Sequence, residues 1–157
     1  MAGRETPAVR AARTAGVAFT LHEYAHDPRA DSYGMEAVEA LGLDEARVFK
    51  TLVVDIDGEL AVCVVPAESQ LDLRSLGKRA DMAPTQRAER VTGYVAGGIS
   101  PLGQRKALPT VIDESALEHA AIYVSGGRRA LEIELAPGDL IRLTNATVAA
   151  ISGSPRR

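Results

Sequence analysis

The chain has 157 residues, of which 46% are hydrophobic and 25% charged, and its formal net charge is −3. This composition is too apolar and too weakly charged for a disordered chain, and a single cysteine excludes an internal disulfide framework. No apolar run approaches the roughly 20 residues that span a bilayer, and the polar N-terminus lacks a signal-peptide core, so we expect a cytoplasmic protein with no membrane partner. A pI near 5.6 argues against a protein that binds nucleic acid through its overall charge.

Capping signals and apolar spacing predict two helices and a strand near the start of the chain. Thr6 is placed as an N-cap, and the proline that follows it occupies the first helical position, where its missing N–H costs nothing. The apolar stripe of Val9, Ala12 and Ala15 continues this helix until Gly16, a residue typical of helix ends. The other two predicted elements are a half-buried strand over 17–24 and a helix that begins at Asp31 or Ser32 and ends at Gly42.

The strongest local signal is a β-hairpin. Two β-branched apolar runs, 48–56 and 59–65, are joined by Asp57-Gly58, a pair that accepts the positive φ angles of a type I′ turn. Residues 92–104 hold four of the fourteen glycines and are predicted to form an ordered, irregular loop. The remaining predictions are short helices over 71–77, 84–90 and 114–119, strands over 110–112, 121–124, 131–135 (with one solvated face) and 147–151, a last helix from Pro137, and a frayed tail. Together they predict one α+β domain over 1–157, with a core over about 6–151 and a curved mixed sheet flanked by helices.

Metal and nucleophile signals are weak in this sequence. His22 and His26 straddle a predicted strand end, His119 is remote, and no second cysteine or His-Glu-x-x-His pattern is present, so we expect no metal site. Cys63 lies in the middle of an apolar strand, where a cysteine is usually a small core residue rather than a nucleophile. A Ser-His-Asp triad has no Gly-x-Ser-x-Gly elbow to support it.

Lys50 is the most informative single residue because it lies inside the apolar run 48–54. A lysine there either extends to the surface from an outward position or lines a polar cavity. Two polar, glycine-rich segments, 92–103 and 125–127, favour the cavity if the fold brings them to Lys50. The paired glycines at 97–98 either let backbone N–H groups approach a ligand or form a tight turn. One ammonium and several backbone donors would suit a carboxyl or ester group.

Several segments occur together in an order that resembles one known family. They are Thr6-Pro7-Ala8-Val9, Tyr24-x-His26-Asp27-Pro28, Phe49-Lys50-Thr51-Leu52, Gln70-Leu71-Asp72-Leu73, Thr92-Gly93-Tyr94, Gly97-Gly98-Ile99-Ser100-Pro101-Leu102-Gly103-Gln104, Leu108-Pro109-Thr110 and Ile122-Tyr123-Val124-Ser125-Gly126-Gly127. Over about residues 6–151 the chain resembles the YbaK/EbsC family, in particular its Cys-tRNA(Pro)/Cys-tRNA(Cys) deacylase branch. The segments at 97–104 and 123–127 are the most specific.

The resemblance implies an α+β domain related to the editing domain of bacterial prolyl-tRNA synthetases. It also implies a trans-editing enzyme without a cofactor, which binds the 3′ acceptor end of aminoacyl-tRNA and clears cysteine from tRNA(Pro) beside prolyl-tRNA synthetase. The implied catalytic lysine is Lys50. The predicted substrate-binding residues are Tyr24, Tyr33 (where many relatives have Phe), Thr51, Ser100 and Ser125, with Gly97 also placed in the pocket.

The chain departs from the family pattern in two places. Residues 77–82 form a segment several residues shorter than in typical members, which bears on a surface helix that contacts RNA. Glu132 occupies a position where some relatives carry Asp in a strand at the pocket edge, and it is left out of the predicted site.

The mechanism we predict uses the substrate's own thiol, because the sequence offers no evident nucleophile or general base. The thiol would attack its ester carbonyl, while Lys50 and the backbone N–H groups of Gly97 and Gly98 orient the substrate and stabilise charge. The alternatives are a deacylase for another small amino acid such as alanine, or a non-catalytic module that binds aminoacyl-tRNA or a synthetase. The predicted rim of the pocket is basic, with ordinary surface charge as the alternative: Lys78-Arg79, Arg87, Arg90, Arg105-Lys106 and Arg128-Arg129.

Overall fold

A computed structural model describes residues 5–26 and 33–155 of the chain. Its α-helices are α1 (Pro7–Ala15), α2 (Tyr33–Leu41), α3 (Thr85–Thr92) and α4 (Pro137–Thr144). Its strands are β1 (Phe19–Glu23), β2 (Phe49–Ile56), β3 (Glu59–Pro66), β4 (Ser69–Leu71), β5 (Ala80–Met82), β6 (Thr110–Asp113), β7 (Ile122–Ser125), β8 (Leu131–Leu135), β9 (Thr147–Ala149) and β10 (Ser152–Pro155). Short 3₁₀ helices cover Glu45–Arg47, Leu73–Leu76 and Glu114–Glu118. No described helix is long and apolar enough to cross a membrane.

The strands form a mixed sheet and two smaller antiparallel ones. The mixed sheet has the order β5-β2-β3-β6-β9, in which β3, β6 and β9 run parallel and the β2–β3 and β2–β5 pairs antiparallel. The second sheet has the order β1-β8-β7, and β4 pairs with β10 in the third. A single parallel bridge between Val48 and Tyr123 connects the mixed sheet to the second sheet. The predicted α+β class, with a mixed sheet flanked by helices, is confirmed.

The first helix follows its sequence signals and also fixes a distant loop. The Thr6 hydroxyl accepts the Val9 N–H at 3.1 Å and donates to the Gly126 carbonyl, so the N-cap ties α1 to the turn after β7. Gly16 ends the helix with φ +74°, as predicted. Ala15 does not belong to the apolar stripe, because its side chain is exposed.

The predicted hairpin is confirmed. β2 and β3 pair from Phe49↔Pro66 to Ile56↔Glu59, and Asp57 and Gly58 adopt φ +54° and +91°. All of β3 after Glu59 is buried, which makes this hairpin the centre of the fold. Because Lys50 is the second residue of β2, the position of the hairpin determines where Lys50 lies.

Several sequence predictions for the remaining segments are wrong in detail. The predicted helices over 71–77 and 114–119 are shorter 3₁₀ helices. β4, β5 and β10 were not predicted, and the first two residues of the tail that was predicted to fray, Ser154 and Pro155, belong to β10, which pairs with β4. The carboxylate of Asp113 holds that C-terminal segment by accepting the N–H groups of Ile151 and Ser152 at 2.9 and 3.0 Å, a pairing between positions almost forty residues apart. The predicted helix start at Asp31 or Ser32 lies outside the described residues.

Candidate active site

One edge of β2 is only partly covered by neighbouring strands. On the side away from β3, β5 pairs with β2 over Val54–Ile56, and β7 bridges it at Val48. Over 49–52, no strand of the described chain pairs with this edge, and we call this interval the β2 gap. Ile99 of the glycine-rich loop packs near Val53, at the downstream end of the gap. We take the gap as the candidate position for a ligand beside β2.

Lys50 and Ser125 lie at this gap. The parallel bridge joins Val48 to Tyr123, so the next residues on the same face, two positions further along each strand, are Lys50 and Ser125. Lys50 is half-buried, and the Ser125 hydroxyl accepts the Gly127 N–H at 3.1 Å. Two of the predicted site residues, far apart in sequence, are therefore brought together by the fold.

Glu132, which the sequence prediction left out of the site, extends the same row of side chains. It pairs with Ser125 on one side and with His22 on the other, so it shares their face of the sheet. Its side chain was predicted to face solvent, but Glu132 is only 7% exposed, and burial raises its pKa to about 8. Within the described residues it makes no hydrogen bond or ion pair. The alternation of apolar and polar residues in β8 does not indicate this burial, because the face predicted to be solvated is covered in the tertiary structure.

Beyond Glu132, a network of ion pairs and hydrogen bonds lies beside the candidate site. Glu134 accepts hydrogen bonds from Arg47 at 3.0 Å and bonds His22 at 2.9 Å, and these bonds hold its pKa below the usual value although burial opposes them. The Arg47 guanidinium also lies 4.9 Å from the centre of the Tyr123 ring. These contacts fix the start of β2 against β7 and β8, and thereby the position of Lys50.

Tyr24 lies at the same end of the second sheet. Its N–H donates to Ala130 at 3.1 Å, which continues the β1–β8 ladder past Glu23 and places Tyr24 on the face of Glu132. Burial, and then the carboxyl groups of Glu132 and Glu36, raise the pKa of Tyr24, so these three side chains are close enough to interact. The side chain of Tyr33, also predicted to bind substrate, lies outside the described part of the chain.

Thr51 has an unsatisfied hydroxyl at the gap. Its Oγ1 is buried and has no hydrogen-bond partner among the described residues. Strand alternation places Thr51 on the opposite face from Lys50, although both residues belong to the same uncovered edge. A buried hydroxyl without a partner costs free energy, and a bound ligand with a polar group can satisfy it.

The glycine-rich loop packs against the turn after β7, but its residues do not all play the predicted roles. A Cβ on Gly98 would lie 2.7 Å from the Arg128 Cα, so this glycine permits close backbone contact. The Gly98 N–H donates to the Val95 carbonyl at 2.8 Å and is therefore not available to an oxyanion, contrary to its predicted catalytic role. Gly97, with φ +89°, keeps the predicted position next to this contact.

Ser100 has a structural role in the same loop. It is fully buried, and its hydroxyl accepts the Leu102 N–H at 3.2 Å. This hydroxyl is thus engaged within the loop, which does not favour the predicted substrate-binding role of Ser100.

Cys63 lies in the second core cluster and pairs with Leu52 across the hairpin. It is fully buried beside Val54, Val65 and Ile151, and burial raises the pKa of its thiol to about 11. A thiol of this kind is not a nucleophile at neutral pH. Within the described residues, no group of three or more histidine, cysteine or acidic side chains is placed to hold a metal ion.

The basic residues predicted to frame the pocket fall into separate groups. Arg87 bonds Asp55 at 2.8 Å and Arg79 bonds Asp57 at 3.3 Å, so both neutralise acids at the turn of the hairpin. That turn is seven residues along β2 from Lys50, which corresponds to about 20 Å. By contrast, Arg129 donates to the Ala96 carbonyl at 2.9 Å and lies beside the glycine-rich loop.

The candidate site thus combines a lysine, a threonine and a glycine turn at a strand edge with which no described strand pairs. Comparison with known proteins identifies the family of the chain. The model of the aminoacyl-tRNA editing domain family matches residues 27–143. The chain therefore belongs to this family, and the predicted resemblance is confirmed.

Individual relatives agree with this assignment. The chain is 37% identical over 156 residues to EbsC of Enterococcus faecalis, a proposed Cys-tRNA(Pro)/Cys-tRNA(Cys) deacylase, with 95% of this chain and 94% of the relative covered. A crystal structure described as a proposed trans-editing enzyme for prolyl-tRNA synthetase superposes with a TM-score of 0.85 at 24% identity, covering 98% of this chain and 99% of that one. The hypothetical protein APE2540 gives a TM-score of 0.81 at 26% identity, with coverages of 94% and 99%.

Proposed function

We propose that this chain is a trans-editing deacylase that removes cysteine from mischarged tRNA(Pro), and that it acts beside prolyl-tRNA synthetase. An editing domain cleaves the ester between an amino acid and its tRNA, which gives the class of reaction. The cysteine substrate is supported by the 37% identity to EbsC over nearly the full length of both chains. The observation that carries the catalytic assignment is the position of Lys50 at the β2 gap, next to Ser125.

The chemistry of the site favours a nucleophile supplied by the substrate. The protein's own thiol, Cys63, is excluded by its burial and raised pKa. Ser125 lies at the gap, but its hydroxyl is engaged by the Gly127 N–H and no described histidine bonds it. A cysteinyl ester brings its own thiol, whose pKa of about 8.5 leaves a usable fraction ionised near neutral pH.

The proposed reaction proceeds in two balanced steps. The cysteine sulfur attacks the ester carbonyl, so a carbon–sulfur bond forms, the carbon–oxygen bond to the ribose breaks, and the thiol proton ends on the ribose hydroxyl. The product is a cyclic thioester and free tRNA. Water then adds to the thioester carbonyl and opens the ring, which releases free cysteine.

In this mechanism the protein contributes position and charge. The Lys50 ammonium favours the thiolate over the thiol and stabilises the negative charge that develops during attack. The Gly97 N–H is the remaining candidate donor to the oxyanion, since the Gly98 N–H is already bonded to Val95. Interactions of this type contribute about 3 kcal/mol each in a site shielded from water.

The test is a deacylation assay with Cys-, Ala- and Ser-tRNA(Pro). We expect Lys50→Ala to lower kcat/KM for Cys-tRNA(Pro) by about 100-fold, the factor that corresponds to roughly 3 kcal/mol. The matched control is Lys78→Ala, which removes an exposed lysine near the distant end of β2 and should retain full activity. Ser-tRNA(Pro) should be a poor substrate although serine is nearly isosteric, because an alcohol forms almost no anion at neutral pH.

The possible outcomes separate the candidate functions. Equal turnover of Ser- and Cys-tRNA(Pro) would rule out the thiol-assisted mechanism. A preference for Ala-tRNA(Pro) would identify a deacylase for a different small amino acid. Binding of tRNA without turnover of any substrate would identify a non-catalytic module, and full activity of Lys50→Ala would remove the catalytic assignment.

A further inference from the structure

Three basic side chains gather at the C-terminal end of α3. Arg90 lies in the last turn of the helix, and residues 105 and 106 run back alongside it: the Arg105 N–H donates to the Thr92 carbonyl at 2.8 Å and the Lys106 N–H to the Val91 carbonyl at 3.2 Å. We call Arg90, Arg105 and Lys106 the α3 basic cluster. All three side chains are exposed.

The α3 basic cluster differs from most other described arginines and lysines because its members have no acidic partner among the described residues. Within the described residues, none of its three members forms an ion pair, whereas Arg47, Arg79 and Arg128, for example, each bond a carboxylate. The nearest acid on the helix, Glu89, accepts the Ala96 N–H at 2.7 Å. The C-terminal end of a helix attracts cations, which accounts for Arg90, but Lys106 is not on the helix. The cluster is thus a local excess of positive charge on a chain whose net charge is −3.

One short loop connects the cluster to the candidate active site. Gly93 lies against the Arg105 side chain, and five residues later Gly98 lies against the backbone of Arg128, in the loop that follows Ser125. Between them Val95 is 66% exposed, and the Arg129 guanidinium donates to the Ala96 carbonyl. Five residues span at most about 17 Å, so a polymer bound at the cluster reaches the site within a few of its units.

We propose that the α3 basic cluster binds the phosphate backbone of the tRNA acceptor arm and directs its 3′ end along the Val95 loop to the β2 gap. This proposal rests on the proposed function, since it names the surface that holds the RNA part of the same substrate. The negatively charged phosphates of RNA are attracted to exposed cations that have no acidic partner. The exposed Val95 provides an apolar contact for a ribose or a base.

The experiment compares two double variants with the same change in charge. The cluster variant is Arg90→Gln/Lys106→Gln. The control is Arg74→Gln/Lys78→Gln, which removes one arginine and one lysine that are also exposed and without an ion pair in the described part of the chain. Binding of uncharged tRNA(Pro) is measured by fluorescence anisotropy between 0.05 and 0.3 M salt, after unfolding curves have shown that both variants are folded.

We expect the cluster variant to weaken tRNA binding by about tenfold to thirtyfold at 0.1 M salt and to reduce the slope of log K against log salt by about 1.5, as two lost phosphate contacts predict. The control should stay within about twofold of the wild type. In deacylation assays the cluster variant should raise KM for Cys-tRNA(Pro) without changing kcat, and it should cleave the small ester cysteinyl-adenosine as the wild type does.

Equal binding by the cluster and control variants would overturn the proposal, as would an equal loss of activity on the small ester. Failure of the proposed function gives a different result. In that case the wild type cleaves neither Cys-tRNA(Pro) nor cysteinyl-adenosine, while the binding comparison still decides whether the cluster holds RNA.

Discussion

Replacing Glu132 by glutamine should make the protein more stable at neutral pH. The carboxyl group is only 7% exposed, its pKa is raised to about 8 by burial, and no described residue bonds it. Near pH 7 the folded protein therefore holds a neutral carboxylic acid, whereas the unfolded chain ionises at the ordinary value of 4.5. Glutamine has nearly the same shape and remains neutral in both states.

The size of the effect follows from proton linkage. Between pH 4.5 and about 8 the folded state binds a proton that the unfolded state releases, so stability falls as pH rises, by about 1.4 kcal/mol for each pH unit. At pH 7 the cost reaches about 3 kcal/mol, and above about pH 8 it stops growing. Glu132→Gln removes this cost, so its advantage over the wild type should be close to zero at pH 4.5 and up to about 3 kcal/mol at pH 7.

The assay is urea unfolding of wild type and variant at several values between pH 4.5 and 8. The control is Glu134→Gln, two residues away on the same face, where hydrogen bonds from His22 and Arg47 hold the pKa below its usual value. Removing that paired carboxylate should destabilise the protein at pH 7 by about 1 kcal/mol, the opposite sign. If wild type and Glu132→Gln lose stability with pH at the same rate, Glu132 is not a buried neutral acid and the reasoning fails.

Two further substitutions test parts of the fold that position the site. Asp113→Asn should lower the free energy of unfolding by about 1–2 kcal/mol at pH 7. Although burial raises its pKa, hydrogen bonds including one from the Ile151 N–H lower it overall, so the difference from wild type should shrink in urea titrations as pH falls below the ordinary value of 3.8. Gly98→Ala places a Cβ 2.7 Å from the Arg128 Cα and should cost about 1–3 kcal/mol in thermal unfolding and reduce deacylation, whereas Gly138→Ala meets no atom within 4 Å and should be neutral or slightly stabilising. Unchanged unfolding of Gly98→Ala would mean that the loop is not packed as closely as described.

The features that the sequence predicted well are those determined by neighbouring residues. The Asp57-Gly58 turn needs positive φ angles that this pair accepts, so the hairpin follows from about 18 consecutive residues. The Thr6 cap is equally local. The same local reasoning failed at Glu132, because alternation in a strand does not reveal that a second layer covers its polar face. It failed again at Gly98, where a long-range contact with the Arg128 backbone, and not a ligand, requires the glycine.

The distribution of satisfied and unsatisfied polar groups gives an independent reason to place the site at the β2 gap. Beside the gap, Glu134 is hydrogen-bonded to both His22 and Arg47, and this network contributes stability. At the gap the Thr51 hydroxyl is buried without a partner among the described residues. On β8, Glu132 is buried without an ion pair to any described residue, and each of these groups lowers stability. Folding alone gives no reason to keep two such groups, since threonine to valine or glutamate to glutamine would remove the cost. A bound substrate would give one, because its polar groups would satisfy theirs, and this supports the proposed position of the substrate near these groups.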